Sequence, residues 1–228
     1  MRAIDLDALR AFEPQPPTRL RPSDSGEPLT GLAAPGRIVE LCGEARTSAA
    51  VLILAHLQRQ AETAAWIQPR RGDLYPPDLA EAGVDIEALT TIHVPLRALV
   101  STPLEQCRSA ELLLRSGAFG LVVLDFTHEE PRGTDAWQGR LLGLARRHEA
   151  RVLVLRDEQR AEAPSLGPLI GLRIRARFEP APADLTDDPP GFEPQTRHFW
   201  LTYEVLKNKS GGPIDPQPTL LRGPWGLN

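Results

Sequence analysis

The sequence predicts an α/β fold with a mostly parallel central sheet and antiparallel strands late in the chain. Three observations carry this. From Arg37 onward, short apolar strand-like runs alternate with longer helix-like segments, the pattern of βαβ units. The run Gly120-Leu121-Val122-Val123-Leu124-Asp125 is continuously apolar up to a terminal acid, as a strand buried on both faces requires. Gly171 to Phe178 then alternates apolar and arginine residues, and a second strand-like run covers His198 to Lys207, so 171–207 predicts an antiparallel pair with a long connection.

The elements follow in order. Ile4, Leu6, Leu9 and Phe12 recur at roughly helical spacing, predicting a short N-terminal helix over residues 1–12. Residues 13–35 hold Pro14, Pro16, Pro17, Pro22, Pro28 and Pro35 and read as a linker. The core spans 36–210. Its strands are expected near 37–42, 63–67, 89–93, 120–125 and 151–155, and its helices near 48–60, 77–82, 103–116 and 134–149. Residues 180–194 form an acidic, proline-rich loop. A proline-rich tail, 211–228, has room for one last short strand.

Composition narrows the function classes. The 228 residues carry a net charge of −4, so no global positive field draws the chain to nucleic acid, and any DNA contact needs a local patch. Cys42 and Cys107 have neither metal-site nor disulfide-framework spacing, and the five histidines are scattered. No metal or cofactor is therefore predicted. Met1 to Arg10 lacks the apolar run of a secretory signal, and no stretch reaches membrane-spanning length, so a cytoplasmic location is expected.

The segment Gly43 to Ala50 has the frame of a phosphate-binding loop: glycine, four residues, glycine, lysine, then a hydroxyl residue, between a strand and a helix. Ser48 stands at the second glycine, Ala49 at the lysine and Ala50 at the hydroxyl. The lysine supplies positive charge to the β- and γ-phosphates and the hydroxyl holds magnesium; alanine does neither. Two readings fit these residues: a degenerate nucleotide loop without ATPase activity, or an ordinary strand-to-helix turn. Elsewhere, Lys207 and Lys209 flank Asn208 and are the chain's only two lysines among 26 basic residues. They read either as a solvated strand end or as a place that needs compact ammonium groups. Arg173, Arg175 and Arg177 share one strand face, either solvated or facing phosphates. Trp225, in the tail, is a candidate partner anchor.

These residues carry a resemblance. "GRIVELCGEARTSAAVLILAHLQRQAETAAWI" resembles the P-loop region of RecA-type recombinases, "LAEAGVDIEAL" the stretch leading into the next strand, "LLLRSGAFGLVVLDF" the helix and Walker B strand, and "YEVLKNKSGGP" the late strand ending in lysine, asparagine, lysine. The matches cover roughly 31–128 and 171–213, in the family's order, and imply a RecA-like, P-loop-type core with Asp125 at the Walker B position. The departures matter equally. Phe126 replaces a small polar residue, and the catalytic glutamate's place falls near Pro69, Arg70 and Arg71. The two loops that hold DNA in recombinases shorten to about 126–135 and 157–168. In the family, the lysines matching Lys207 and Lys209 reach ATP bound by a neighbouring subunit. A RecA-like chain of this length without ATPase residues resembles the bacterial ImuA family, accessory factors of SOS-induced translesion synthesis that act with ImuB, an inactive Y-family polymerase homologue. The resemblance implies a non-enzymatic adaptor, with RecA and an ImuB-like protein as partners and at most weak, local DNA binding. Two alternatives stand beside it: a DNA-binding recombination mediator related to RecA, and a SulA-like inhibitor of cell division.

Overall fold

The computed structural model describes residues 29–70, 72, 74–95, 101–132, 135–158, 162–181, 198–210, 214 and 216–222. The expected N-terminal helix (1–12), most of the tail and Trp225 lie outside them. Within what was read as linker, Leu29–Leu32 forms a short helical turn, α1, with Leu29 and Leu32 buried in the core. The strands are β1 (Arg37–Cys42), β2 (Ala64–Pro69), β3 (Leu89–Val94), β4 (Leu121–Asp125), β5 (Arg151–Leu155), β6 (Leu172–Pro180), β7 (His198–Asn208) and β8 (Thr219–Arg222). The longer helices are α2 (Arg46–Arg59), α3 (Pro76–Glu81), α4 (Thr102–Ser116) and α5 (Ala136–Arg147).

One eight-stranded sheet holds them in the order β3-β2-β4-β5-β1-β6-β7-β8. Strands β1 to β6 are parallel, and β7 and β8 run antiparallel to their neighbours. This is the α/β architecture the sequence predicts. Because side chains alternate across a strand, β1 sends Val39 and Leu41 to one core and Ile38 to another. Helices α2 and α3 cover the first face through Ile53, Leu54, Leu57 and Leu79 around the fully buried Trp66. Helices α4 and α5 cover the second through Cys107, Ala110, Leu114, Trp137, Leu141 and Ala145. In both helices the buried residues recur every three or four positions, the spacing of one helical face.

Local chemistry fixes the helix ends. Pro103 sits in the first turn of α4, where a missing N–H costs nothing, and Gly117 ends it in the left-handed conformation at φ 71°. Thiols at Cys42 and Cys107 are both buried, and burial pushes Cys107 up to about 12, as expected of packing residues and not of nucleophiles. No helix among the described residues is long and apolar enough to cross a membrane. Among them, no group of three or more His, Cys, Asp or Glu is placed to hold a metal ion.

Candidate functional site

In open α/β sheets, ligands gather beyond the carboxyl ends of the parallel strands. Here Gly43, Arg70, Phe126 and Arg156 directly follow β1, β2, β4 and β5 at that edge. The turn after β1 decides what the edge can hold. Helix α2 begins at Arg46, so only Gly43, Glu44 and Ala45 separate it from the strand. Ser48, Ala49 and Ala50 lie within the helix, and both alanines are fully buried. The Gly43 N–H donates to the carbonyl of Glu158 at 3.1 Å, and the Ala45 N–H to that of Ala176 at 3.2 Å. Two backbone donors of the turn thus already serve neighbouring chain, and the Arg46 N–H that opens the helix meets Gly43 O at 3.4 Å.

Gly43 has a local explanation. Its φ is 89°, and a Cβ there would come within 2.3 Å of the Ala176 carbonyl oxygen. Only glycine lets β6 cross so close. Arg46, a residue the sequence reading passed over, clamps the turn: its Nη1 donates to Gly43 O at 2.9 Å and lies 3.0 Å from Asp157.

Asp125 is also occupied. Its Oδ1 accepts from the Thr127 N–H at 3.0 Å and the Thr127 hydroxyl at 2.6 Å, closing the turn after β4. Gln106, buried on α4, donates to the Asp125 carbonyl at 2.7 Å. Beyond it, Phe126 is buried edge-on against Trp137, with ring centroids 5.8 Å apart. The space past β4 is thus filled by an aromatic pair.

The arginine row needs correcting. β6 is an interior strand covered on both faces as far as Ala176, so Arg173 and Arg175 are buried and do not offer themselves to phosphates. Arg173 pairs with Glu40 at 2.8 Å, Arg175 pairs with Glu204 across the β6–β7 ladder, and exposed Arg177 shares Glu204 at 3.7 Å. Buried charges persist only when paired.

Glu40 organises a network that sequence reasoning missed. Fully buried in mid-β1, it lies 3.2 Å from Arg156 and accepts the Leu166 N–H at 2.9 Å as well as meeting Arg173. Arg156 grips Glu130 with two N–H groups, at 2.6 and 3.1 Å, and donates to Pro164 O at 2.6 Å. Burial acts to lower the Arg156 pKa, but the bonds and charges of Glu130 and Glu40 outweigh it and the pKa rises. One signal was available: a lone acid inside the apolar run Ile38 to Cys42.

The same network pins the connection from β5 to β6. Lys207 Nζ donates to Ser165 Oγ at 2.7 Å and Gly167 O at 3.0 Å, and Gln138 brackets it through Leu166 O and the Leu169 N–H, each at 3.0 Å. Burial first, then the nearby Lys209 charge, pull the Lys207 ammonium below its ordinary range. Lys207 is therefore an internal brace. Lys209 is exposed and its ammonium touches only the Pro168 carbonyl among the described residues. Asn208 Oδ1 caps the following turn by accepting from Ser210 N at 3.0 Å.

The register puts Lys209 at the opposite edge from Gly43, with Lys207 level with the middle of β1. Arg173 pairs with Lys207 while Glu40 pairs with Arg173, and the Lys209 N–H reaches Gly171 O, beside the start of β1. The closed turn and Lys209 thus occupy the two ends of the parallel strands.

No protein-family model matches the sequence, and no curated protein matches it. Among solved structures, the chain is similar to the crystal structure of the RadB recombinase, with a TM-score of 0.48 and 17% identity over 77% of this chain and 90% of that one.

Proposed function

We propose that the chain is a non-catalytic, RecA-like accessory protein, an adaptor of SOS-induced error-prone translesion synthesis of the ImuA kind. Its partners are RecA and an ImuB-type polymerase homologue. The observation that carries the non-catalytic half is the turn Gly43 to Ala45. It is too short to wrap a phosphate chain, and its Gly43 and Ala45 N–H groups are bonded to Glu158 and Ala176. Phosphoryl transfer depends on positioning and on charge at the phosphates; Ala49 and Ala50 contribute neither, and Arg70 stands where a water-activating carboxylate belongs. The adaptor half rests on the resemblance of the quoted segments and on Lys209, exposed at the edge remote from that turn.

Direct, extended DNA binding is not part of this reading. Of the three arginines in the row, two are buried in ion pairs, and the β5–β6 connection is tied down by Glu40, Arg173 and Lys207. Affinity purification of the tagged chain after DNA damage tests the proposal. Recovery of RecA and the ImuB-like protein is expected, with RecA recovery reduced by Lys209→Ala. Recovery of FtsZ in their place overturns it in favour of a division inhibitor. Equal RecA recovery by Lys207→Ala/Lys209→Ala removes the lysines from the interface.

A further inference from the structure

A cleft of about 310 Å³ opens at the amino-terminal edge of the parallel strands, between the start of β1, the end of α5 and the turn after β7. Three cations line it, Arg37, Arg146 and Lys209, and among the described residues no acid does. The guanidinium groups of Arg37 and Arg146 have no carboxylate partner among the described residues, whereas Arg46, Arg151, Arg156, Arg173 and Arg175 all meet one. In a chain of net charge −4 this is a local inversion of sign. Between the cations lie Leu142, Pro168 and Leu169, the last 37% exposed. The cleft is also pre-set. The Arg146 stem lies over Gly36, where an added Cβ would come within 3.2 Å of its Cγ, and Lys209 is held to Pro168.

We propose that this cleft docks a short acidic segment of a partner protein, with an apolar side chain on Leu142, Pro168 and Leu169 and carboxylates on Arg37, Arg146 and Lys209. The apolar strip favours a peptide over a free phosphate, because Leu142, Pro168 and Leu169 have nothing to offer a bare phosphate. Guanidinium groups on long stems pair the carboxylates of such a segment side-on, with two parallel N–H bonds. The volume sits at the lower end of the roughly 300–1,000 Å³ typical of ligand-holding pockets, which suits one or two side chains. The inference rests on the adaptor reading only in taking a protein as the occupant.

The test uses the full chain and a fluorescein-labelled peptide of alternating aspartate and leucine, read by fluorescence anisotropy. Arg37→Glu/Arg146→Glu is expected to weaken binding by about tenfold or more, the usual consequence of reversing charges that pair across an interface. Leu169→Asp should weaken it without touching either arginine, and Arg147→Glu, next door on α5 but outside the cleft, should leave it unchanged. Circular dichroism checks that each variant is folded. Three results overturn the proposal: unchanged binding by the double variant, equal binding of a peptide with serine for leucine, or displacement of the peptide by millimolar inorganic phosphate. The purification experiment fails separately. Peptide binding without RecA or ImuB recovery sinks the choice of partner and supports the cleft.

Discussion

Glu40 is the residue on which the middle of the molecule turns. Its carboxylate is fully buried and answers two guanidinium groups and one backbone N–H. Removing one member of a buried ion pair leaves the others charged and uncompensated, which costs about 3–5 kcal/mol. Glu40→Gln keeps the shape and an acceptor for Leu166 but deserts Arg156 and Arg173. A loss of that size is expected in urea unfolding; a change under about 1 kcal/mol, the range of exposed pairs, would mean that the network is not structurally coupled. Tyr203 gives a pH signature at the other face. Burial, only partly offset by its bond to Thr219, pushes its hydroxyl up to about 12. An unfolded tyrosine loses its proton near pH 10. Between those values the unfolded chain binds fewer protons than the folded one, so stability falls as pH rises through the window, by about 1.4 kcal/mol per unit. Tyr203→Phe should flatten that decline in thermal melts between pH 10 and 11, and an identical decline in the variant would place its origin elsewhere.

At the scale of elements, β1 and β5 match their expected bounds and β4 begins one residue later, because buried parallel strands read as uninterrupted apolar runs. Helix α2 is the informative miss. The P-loop frame places its start near residue 48, whereas it starts at Arg46. With no second glycine to hold the loop open, nothing stops Arg46 to Ala50 from joining the helix. The ion-pair network was illegible for a different reason. Glu40 and Arg156 stand 116 residues apart, and no short-range pattern links them. Alternation along β6 likewise separates its faces correctly but cannot say that both are covered. A consequence follows for the altered loop. Restoring the missing side chains with Ser48→Gly/Ala49→Lys/Ala50→Thr should not restore binding of magnesium–ATP, since the lysine and threonine would begin inside a helix, behind a three-residue turn whose Gly43 and Ala45 donors are occupied. A fluorescent ATP analogue measures this. Tight, magnesium-dependent binding by the triple variant would show that the turn reopens and that side chains alone had silenced it.

The whole molecule has two unlike ends. Beyond the carboxyl ends of the strands, the turn at Gly43 is closed, Asp125 is bonded to Thr127, and Phe126 fills the space against Trp137. At the amino-terminal edge, Lys209, Arg37 and Arg146 are held out around an open cleft. Head-to-tail assembly of identical subunits needs both ends, because each interface joins one patch to a different patch on the next copy. If, as proposed, only the Lys209 end docks on RecA, the chain can add to a filament of that protein but cannot extend it. Sedimentation velocity should therefore find no filament of this chain alone with ATP and single-stranded DNA. Added in small proportion to assembling RecA, it should shorten the RecA filaments, and Lys209→Ala should relieve the shortening. Filaments of the isolated chain would show that its closed end is a working interface, and RecA filaments of undiminished length would remove the capping role.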